Sequence, residues 1–265
     1  MIDYDRKRFA TEEFVEVQLP LFRSLKIQRA LHGFTCPPGA ALLDLGCGEG
    51  AFTRTLKKIY PQARVDGCDV SEAQVACARN HNGAVEYKIS TDVLPYEDES
   101  FHAVFVLDVL EHVAHPAQML AEIARVLRKG GLLLLHCPCE GQPLTLHWLC
   151  WKLKMGANLK RDLVGHIQRF THRRVIRLAA DQGLVCRRLC YEYHFLGQLS
   201  DLLTFWRHWC IDRVEANQAT VLQRLLARIP TYRFFWILRR IAYWESRLLG
   251  SLPWAMGLDA RFEKI

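Results

Sequence analysis

The stretch ALLDLGCGEGAF, residues 41–52, reads as a buried strand that ends on an acid and breaks into glycines at alternate positions. A short apolar run without polar alternation suits a strand covered on both faces, as in a parallel sheet. Glycines between such a strand and the following helix let backbone approach a ligand closely, with the helix N-terminus beneath it. Gly46, Gly48 and Gly50 follow Asp44. This spacing is neither the dinucleotide pattern G-x-G-x-x-G nor the phosphate-binding loop with its lysine, so a different ligand is implied.

Outward from this turn the chain alternates buried strands with amphipathic helices, the pattern of a doubly wound α/β sheet. RVDGCD, AVEYKI, FHAVFVL and GLLLLHC read as the second to fifth strands. Ser71 with Gln74 predicts a capped helix start, and Pro116 suits the first turn of the next helix, which Gly130 is expected to close. Thr171 to Gln182 reads as a helix ended by Gly183, followed by the strand-like LVCRRLCYEY, and GLDARFEKI as a last strand. The expected fold is a Rossmann-like doubly wound sheet of about seven strands, the last antiparallel, with a helical cap inserted before it. The expected organisation is a single domain: an N-terminal helical segment 1–39, a core 40–193, a cap 194–255 and the last strand 256–265.

The segment DLGCGEG resembles motif I of the class I S-adenosylmethionine-dependent methyltransferases. LPYEDESFHAVF leading into LDVLEHV, and RVLRKGGLLLLHCP, are similar to the type-11 group of that family. The resemblance covers roughly residues 38 to 140 and continues more weakly through GHIQRFTHRRVIRLAADQGL and the C-terminal end. It implies S-adenosyl-L-methionine as cofactor. Asp44 would anchor the ammonium side of the methionine moiety, and the glycines would make room. Asp69, closing the second strand, would take the ribose hydroxyls, a role its position also suits chemically. Asp92 would meet the adenine amino group with Val93 as wall, and Asp108 would lie beside the methyl-transfer centre. The implied cofactor contacts are Asp44, Gly46, Cys47, Gly48, Gly50, Asp69, Val70, Asp92, Val93 and Asp108.

Methyl transfer from a sulfonium needs an acceptor held in line and, for a hydroxyl, a base. His166, on a loop before the sixth strand, is the base to test first; His112 and His136 read as structural. No metal ligands are expected. HCPCEGQPLTLHWLC gathers His136, Cys137, Cys139, His147 and Cys150 but lacks a paired C-x2-C spacing. Ten cysteines without a secretory leader read as reduced thiols, the expected compartment being the cytoplasm. A net charge of +7 permits an anionic partner without demanding one.

Beyond residue 147 lie all seven tryptophans, interleaved with arginines in WRHWCIDR and YRFFWILRRIAYW. Leu222, Leu225, Leu226 and Ile229 predict one inward-packed cap helix. The next helix is apolar on too much of its circumference for a single neighbour. A small-molecule or lipophilic acceptor, with peripheral membrane contact, is the expected partner of the cap. The chain then reads as a methyltransferase acting on oxygen or carbon. A cofactor-binding protein of the same fold without turnover and a nucleic-acid methyltransferase are the alternatives.

Overall fold

The computed structural model describes residues 20–81, 84–154, 159–221, 223–224 and 232–265. Leu222, Leu225, Leu226 and Ile229, like the first nineteen residues, lie outside them.

Helix α1 (Pro20–Leu31) precedes an alternation of strands and helices: β1 (Ala41–Leu45), α2 (Ala51–Ile59), β2 (Arg64–Asp69), α3 (Glu72–Asn80), β3 (Glu86–Ile89), β4 (Phe101–Leu107), α4 (Pro116–Val126) and β5 (Leu127–Pro138). Short helices α5 (Leu146–Lys152) and α6 (Leu159–Val164) lead to α7 (His172–Ala180) and β6 (Leu184–Glu192). Long helices α8 (Phe195–Glu215) and α9 (Tyr232–Leu248) follow, then β7 (Gly257–Lys264). The seven strands form one sheet in the order β3-β2-β1-β4-β5-β7-β6. Strands β1 to β5 run parallel, and β7 is antiparallel to both β5 and β6. The strand order reverses between β1 and β4, which opens a crevice at their carboxyl ends, the usual ligand position in such sheets.

Alternation along each strand divides the core in two. Leu43, Leu45, Val104, Val106, Leu133 and Leu135 pack with Ile123 and Val175 on one face. Leu42, Phe105 and Leu134 pack with Phe52 and Leu56 on the other. One local expectation is corrected. Helix α4 ends at Val126, and pairing begins at once with Phe101 opposite Leu127. The register then jumps to Ala103 opposite Leu132, and Gly130, at φ 73°, serves this bulge rather than closing the helix.

The cap draws on more chain than α8 and α9. Helices α5 and α6 also pack against α8, and α9 packs against both α8 and α1. Arg29 of α1 is the rivet. Its Nη1 donates to the Tyr191 carbonyl and to Asp259 Oδ2, each at 2.9 Å, and lies 3.7 Å from Glu192 Oε2. Its Nη2 donates to the Ser246 carbonyl of α9. One guanidinium therefore joins α1, β6, β7 and the cap. Arg29→Met is expected to lower the unfolding free energy by roughly 3–5 kcal/mol, because Asp259 and Glu192 lose their cation. Urea denaturation measures this loss; an unchanged midpoint would show that the contact is only decorative.

Candidate active site

The three glycines share a left-handed backbone, at φ 79°, 51° and 78°, but their surroundings differ. A Cβ at Gly46 would run into the Val109 side chain, and one at Gly50 into the Tyr87 ring. At Gly48 it would meet only Gln74 Oε1, at 3.8 Å. Gly46 and Gly50 are thus bare so that the protein can pack, and of the three only Gly48 would hold a Cβ at an ordinary contact distance. Cys47 between them turns its side chain toward Val75, Ala78 and Tyr87. Burial, with Asp44 and Asp69 nearby, pushes its thiol pKa far up.

Asp69 closes β2 beside this turn. Its Oδ2 accepts from the Gly48 amide at 2.8 Å, and its Oδ1 from the Ser71 amide at 3.0 Å. Two backbone donors fix the carboxylate, with lone pairs left over for hydroxyl donors. Ser71 in turn caps α3 by accepting from the Gln74 amide. Val70 and Val93 are exposed on the loops after β2 and β3, which lie side by side because Asp69 pairs with Ile89. Asp92 beside Val93 is exposed. Asp44 is buried, and its Oδ2 accepts from the Thr53 hydroxyl at 2.6 Å. One of its oxygens is thereby committed to α2.

Asp108 follows β4 at φ 58°, a conformation uncommon for a residue with a side chain. Lys26 of α1 holds it, donating to both carboxylate oxygens at 2.9 and 2.7 Å, and His136 Nε2 lies at 3.3 Å. Burial opposes ionisation of Asp108, but Lys26 and His136 keep its carboxyl well below the usual range. His136 is itself enclosed: Nδ1 meets Asp259 Oδ1 at 2.8 Å, and Nε2 lies 3.3 Å from Glu192. Burial and Lys26 work against its protonation, yet the surrounding carboxylates raise its pKa above 6.5. Burial and Asp259 push Glu192 up to about 7.

A second cluster surrounds His166. Its Nδ1 bonds to Glu140 at the end of β5, and its Nε2 lies 3.9 Å from Glu111 Oε1. The His112 ring meets it edge-on, with centroids 4.9 Å apart. Lys160 of α6 links Glu140 (3.5 Å) to Asp201 of α8 (2.8 Å), and Asp201 also meets His147 at 2.8 Å. The histidine–cysteine stretch of the sequence therefore disperses: His136 turns to Asp259, His147 to Asp201, and Cys137 and Cys139 into the core.

Lys26, Arg29, Glu140, Glu192 and Asp259 are site residues that the sequence reading missed. Only Glu140 carried a signal, being an acid directly after a buried strand. Burial opposes its ionisation, but His166 and Lys160 prevail and hold its carboxyl down at about 2. A depressed carboxyl contributes stability that is present above its unfolded value and lost as pH falls toward the folded one. The window here runs from 4.5 to about 2. The urea midpoint should therefore fall less between about pH 5 and about pH 3 in Glu140→Gln than in the parent, by a component of about 2 kcal/mol. Equal acid sensitivity in the two proteins would contradict this assignment.

Comparison with known proteins adds a family match and a likeness of fold. Residues 43–135 fit the type-11 family described as a methyltransferase domain. An uncharacterized 37.1 kDa protein in a Streptomyces fradiae transposon is 39% identical over 153 residues, covering 55% of this chain and 44% of its own length. A ubiquinone biosynthesis O-methyltransferase of Hahella chejuensis is 36% identical over 100 residues, covering 36% of this chain and 41% of its own. The chain thus spans less than half the length of these curated relatives. Among solved structures the MccD protein superposes with a TM-score of 0.60 at 16% identity, over 93% of this chain and 99% of its own, a likeness of fold. Residues 43–135, which carry the glycine turn and the acid closing β2 within a seven-stranded sheet, thus match a methyltransferase-domain family.

Proposed function

We propose that the chain transfers the methyl group of S-adenosyl-L-methionine to an oxygen or carbon of a small, lipid-like acceptor held beneath the cap. The observation that carries this reading is the pair formed by Gly48 and Asp69. Of the three turn glycines only Gly48 has room for a Cβ without a clash, and its amide orients the carboxylate at the end of β2. In this reading Val70 and Val93 flank the adenine ring, whose amino group meets Asp92. Asp44 and Asp108 lie on the methionine side, with Gly46, Cys47 and Gly50 shaping the turn. Bound cofactor supplies an electrophilic methyl on a sulfonium; the protein's part is alignment and exclusion of water. His166, oriented by Glu140, lies in the cluster that we assign to removing the acceptor's proton.

The lipid-like acceptor is supported by the cap and by the activities named for relatives, such as the ubiquinone biosynthesis O-methyltransferase. Helix α9 buries Ala242 and Ser246 and exposes Trp236, Ile237, Ile241, Trp244 and Leu248. Arg240 stacks on Trp236 at 4.6 Å and Arg247 on Trp244 at 5.8 Å. Glu245, the single acid of this helix, turns inward to accept from the Leu196 and Gly197 amides at the start of α8. The outward face is therefore apolar and cationic, which suits the headgroup region of an anionic bilayer. Among the described residues no helix is long and apolar enough to cross a membrane.

The cofactor should raise the melting temperature, since it binds the folded state alone. Gly48→Ala is expected to keep the fold and lose most of that rise, and Asp69→Ala to weaken it. A rise with NADH and none with S-adenosyl-L-methionine would refute the reading. Turnover separates an enzyme from a mere binder: with fractionated extract, S-adenosylhomocysteine should accumulate in the lipid fraction. On the cap, replacing Trp236 and Trp244 by Ser should reduce co-sedimentation with phosphatidylglycerol vesicles while the cofactor-induced shift persists. Equal sedimentation of parent and variant would remove the membrane from the proposal.

A further inference from the structure

After β4 the chain makes a single 3-10 turn, Leu110–His112, and the segment around residues 165–168 is laid against it. The amides of Ile167 and Gln168 both donate to the Glu111 carbonyl at 3.0 Å, and Gln168 Nε2 donates to the Val113 carbonyl at 3.1 Å. This clamp brings His166 against Glu111 and His112, which lie 55 and 54 positions earlier in the chain. The Glu111 side chain has no exposed surface, and neither of its carboxylate oxygens has a hydrogen-bond partner. His112 Nε2 lies 3.8 Å and His166 Nε2 3.9 Å from its Oε1. All three atoms fall within 4.8 Å of one another.

The far nitrogens of the rings set the tautomers. His112 Nδ1 lies 3.1 Å from the Gly165 carbonyl oxygen, and His166 Nδ1 bonds to the Glu140 carboxylate. Both of these partners only accept, so Nδ1 carries the proton in each neutral ring and Nε2 presents its lone pair. Two imidazole lone pairs and a carboxylate oxygen then converge on one small volume. Metal-bound histidines are held in this manner, each passing its other N–H to a carbonyl or carboxylate. Donors spaced this way accommodate an ion at roughly 2.0–2.2 Å after small side-chain adjustments.

We propose that Glu111, His112 and His166 bind one divalent transition-metal ion of the zinc or manganese type. Two imidazoles among three ligands disfavour magnesium and calcium, which prefer all-oxygen sets. The half-exposed His112 edge provides entry, and three protein ligands leave a coordination position vacant for an acceptor oxygen. A comparable group, His136 with Glu192 and Asp259, already holds Arg29 and Lys26 beside it and needs no ion.

The role of the ion rests on the methyltransferase reading. An acceptor hydroxyl on the metal loses its proton to bulk water, its oxygen attacks the sulfonium methyl, and the C–S electron pair stays on sulfur. His166 is then a ligand, and the ion takes over the proton-removing task assigned to its cluster.

The test is uptake by chelator-stripped full-length protein, titrated with Zn2+, Mn2+, Mg2+ and Ca2+ and followed by calorimetry and melting temperature, with Co2+ as a spectroscopic probe. One equivalent of Zn2+ or Mn2+ should bind and raise the melting temperature, whereas Mg2+ and Ca2+ should not. Cobalt should show visible bands without the near-ultraviolet charge transfer of a thiolate ligand. Glu111→Gln and His166→Gln should each weaken binding roughly ten- to a hundredfold. If one variant fails to fold, the other gives the same reading. No uptake by the parent, or uptake that neither variant changes, overturns the site. The cofactor-induced melting shift of the metal-free protein is recorded alongside: its loss would defeat the methyltransferase reading, and its persistence without metal uptake would defeat only the ion.

Discussion

The carboxyl edge of the sheet depends on an arrangement of opposed charges, Lys26–Asp108–His136–Asp259–Arg29, buried except at its Asp108 end, with Glu192 enclosed among them. Two cations come from α1, one acid follows β4, the imidazole belongs to β5, and the remaining acids end β6 and start β7. Removing any one leaves its neighbours charged and dry, which costs more than the pair contributes to stability. The network acts as a registry device. It sets α1 across β5 and β7 and gives the cap, through Ser246, a fixed place over the crevice.

The glycine turn divides its labour along the same edge. Gly46 and Gly50 satisfy the packing of Val109 and Tyr87, and Gly48 serves the open side. Three residues of one type at one spacing thus answer two demands, close packing within the protein and close approach from outside it. Asp69 ties the two together by holding the Gly48 amide, so the acid and the opening move as one body. The shape of the open side is set before anything occupies it, which limits the ordering cost of binding.

The second charged group, Glu111–His166–Glu140–Lys160–Asp201–His147, runs from β4 through the α6 region to α8. It couples the floor of the crevice to its roof. Helices α5 and α6 therefore pack with α8, although it begins far later in the chain. The outer surface of α9 faces the opposite way, with its aromatics under arginines and its one acid turned inward.

The sequence by itself determined the sheet. Unbroken apolar strands, Ser71 and Thr171 as caps and the break at Gly46–Gly50 are local signals, written in neighbouring residues and their period. It also put Asp69 and the glycine turn at one sheet edge, because the positions of strand-to-helix turns follow from topology alone. Only the tertiary structure decided which glycine is open, since that depends on Val109 and Tyr87, distant in sequence. It alone brought Lys26 to Asp108 and Glu140 to His166. Single lysines, arginines and glutamates carry no period, and their pairing is settled by how α1, β5 and the 165–168 segment come to rest on the sheet. His136 shows the difference most plainly: at the end of a strand it reads as half-buried, yet it is enclosed because β7 inserts between β5 and β6 and sets Asp259 against it. A buried imidazole has to find its partners from whichever strand the fold places beside it, and no local pattern names that strand.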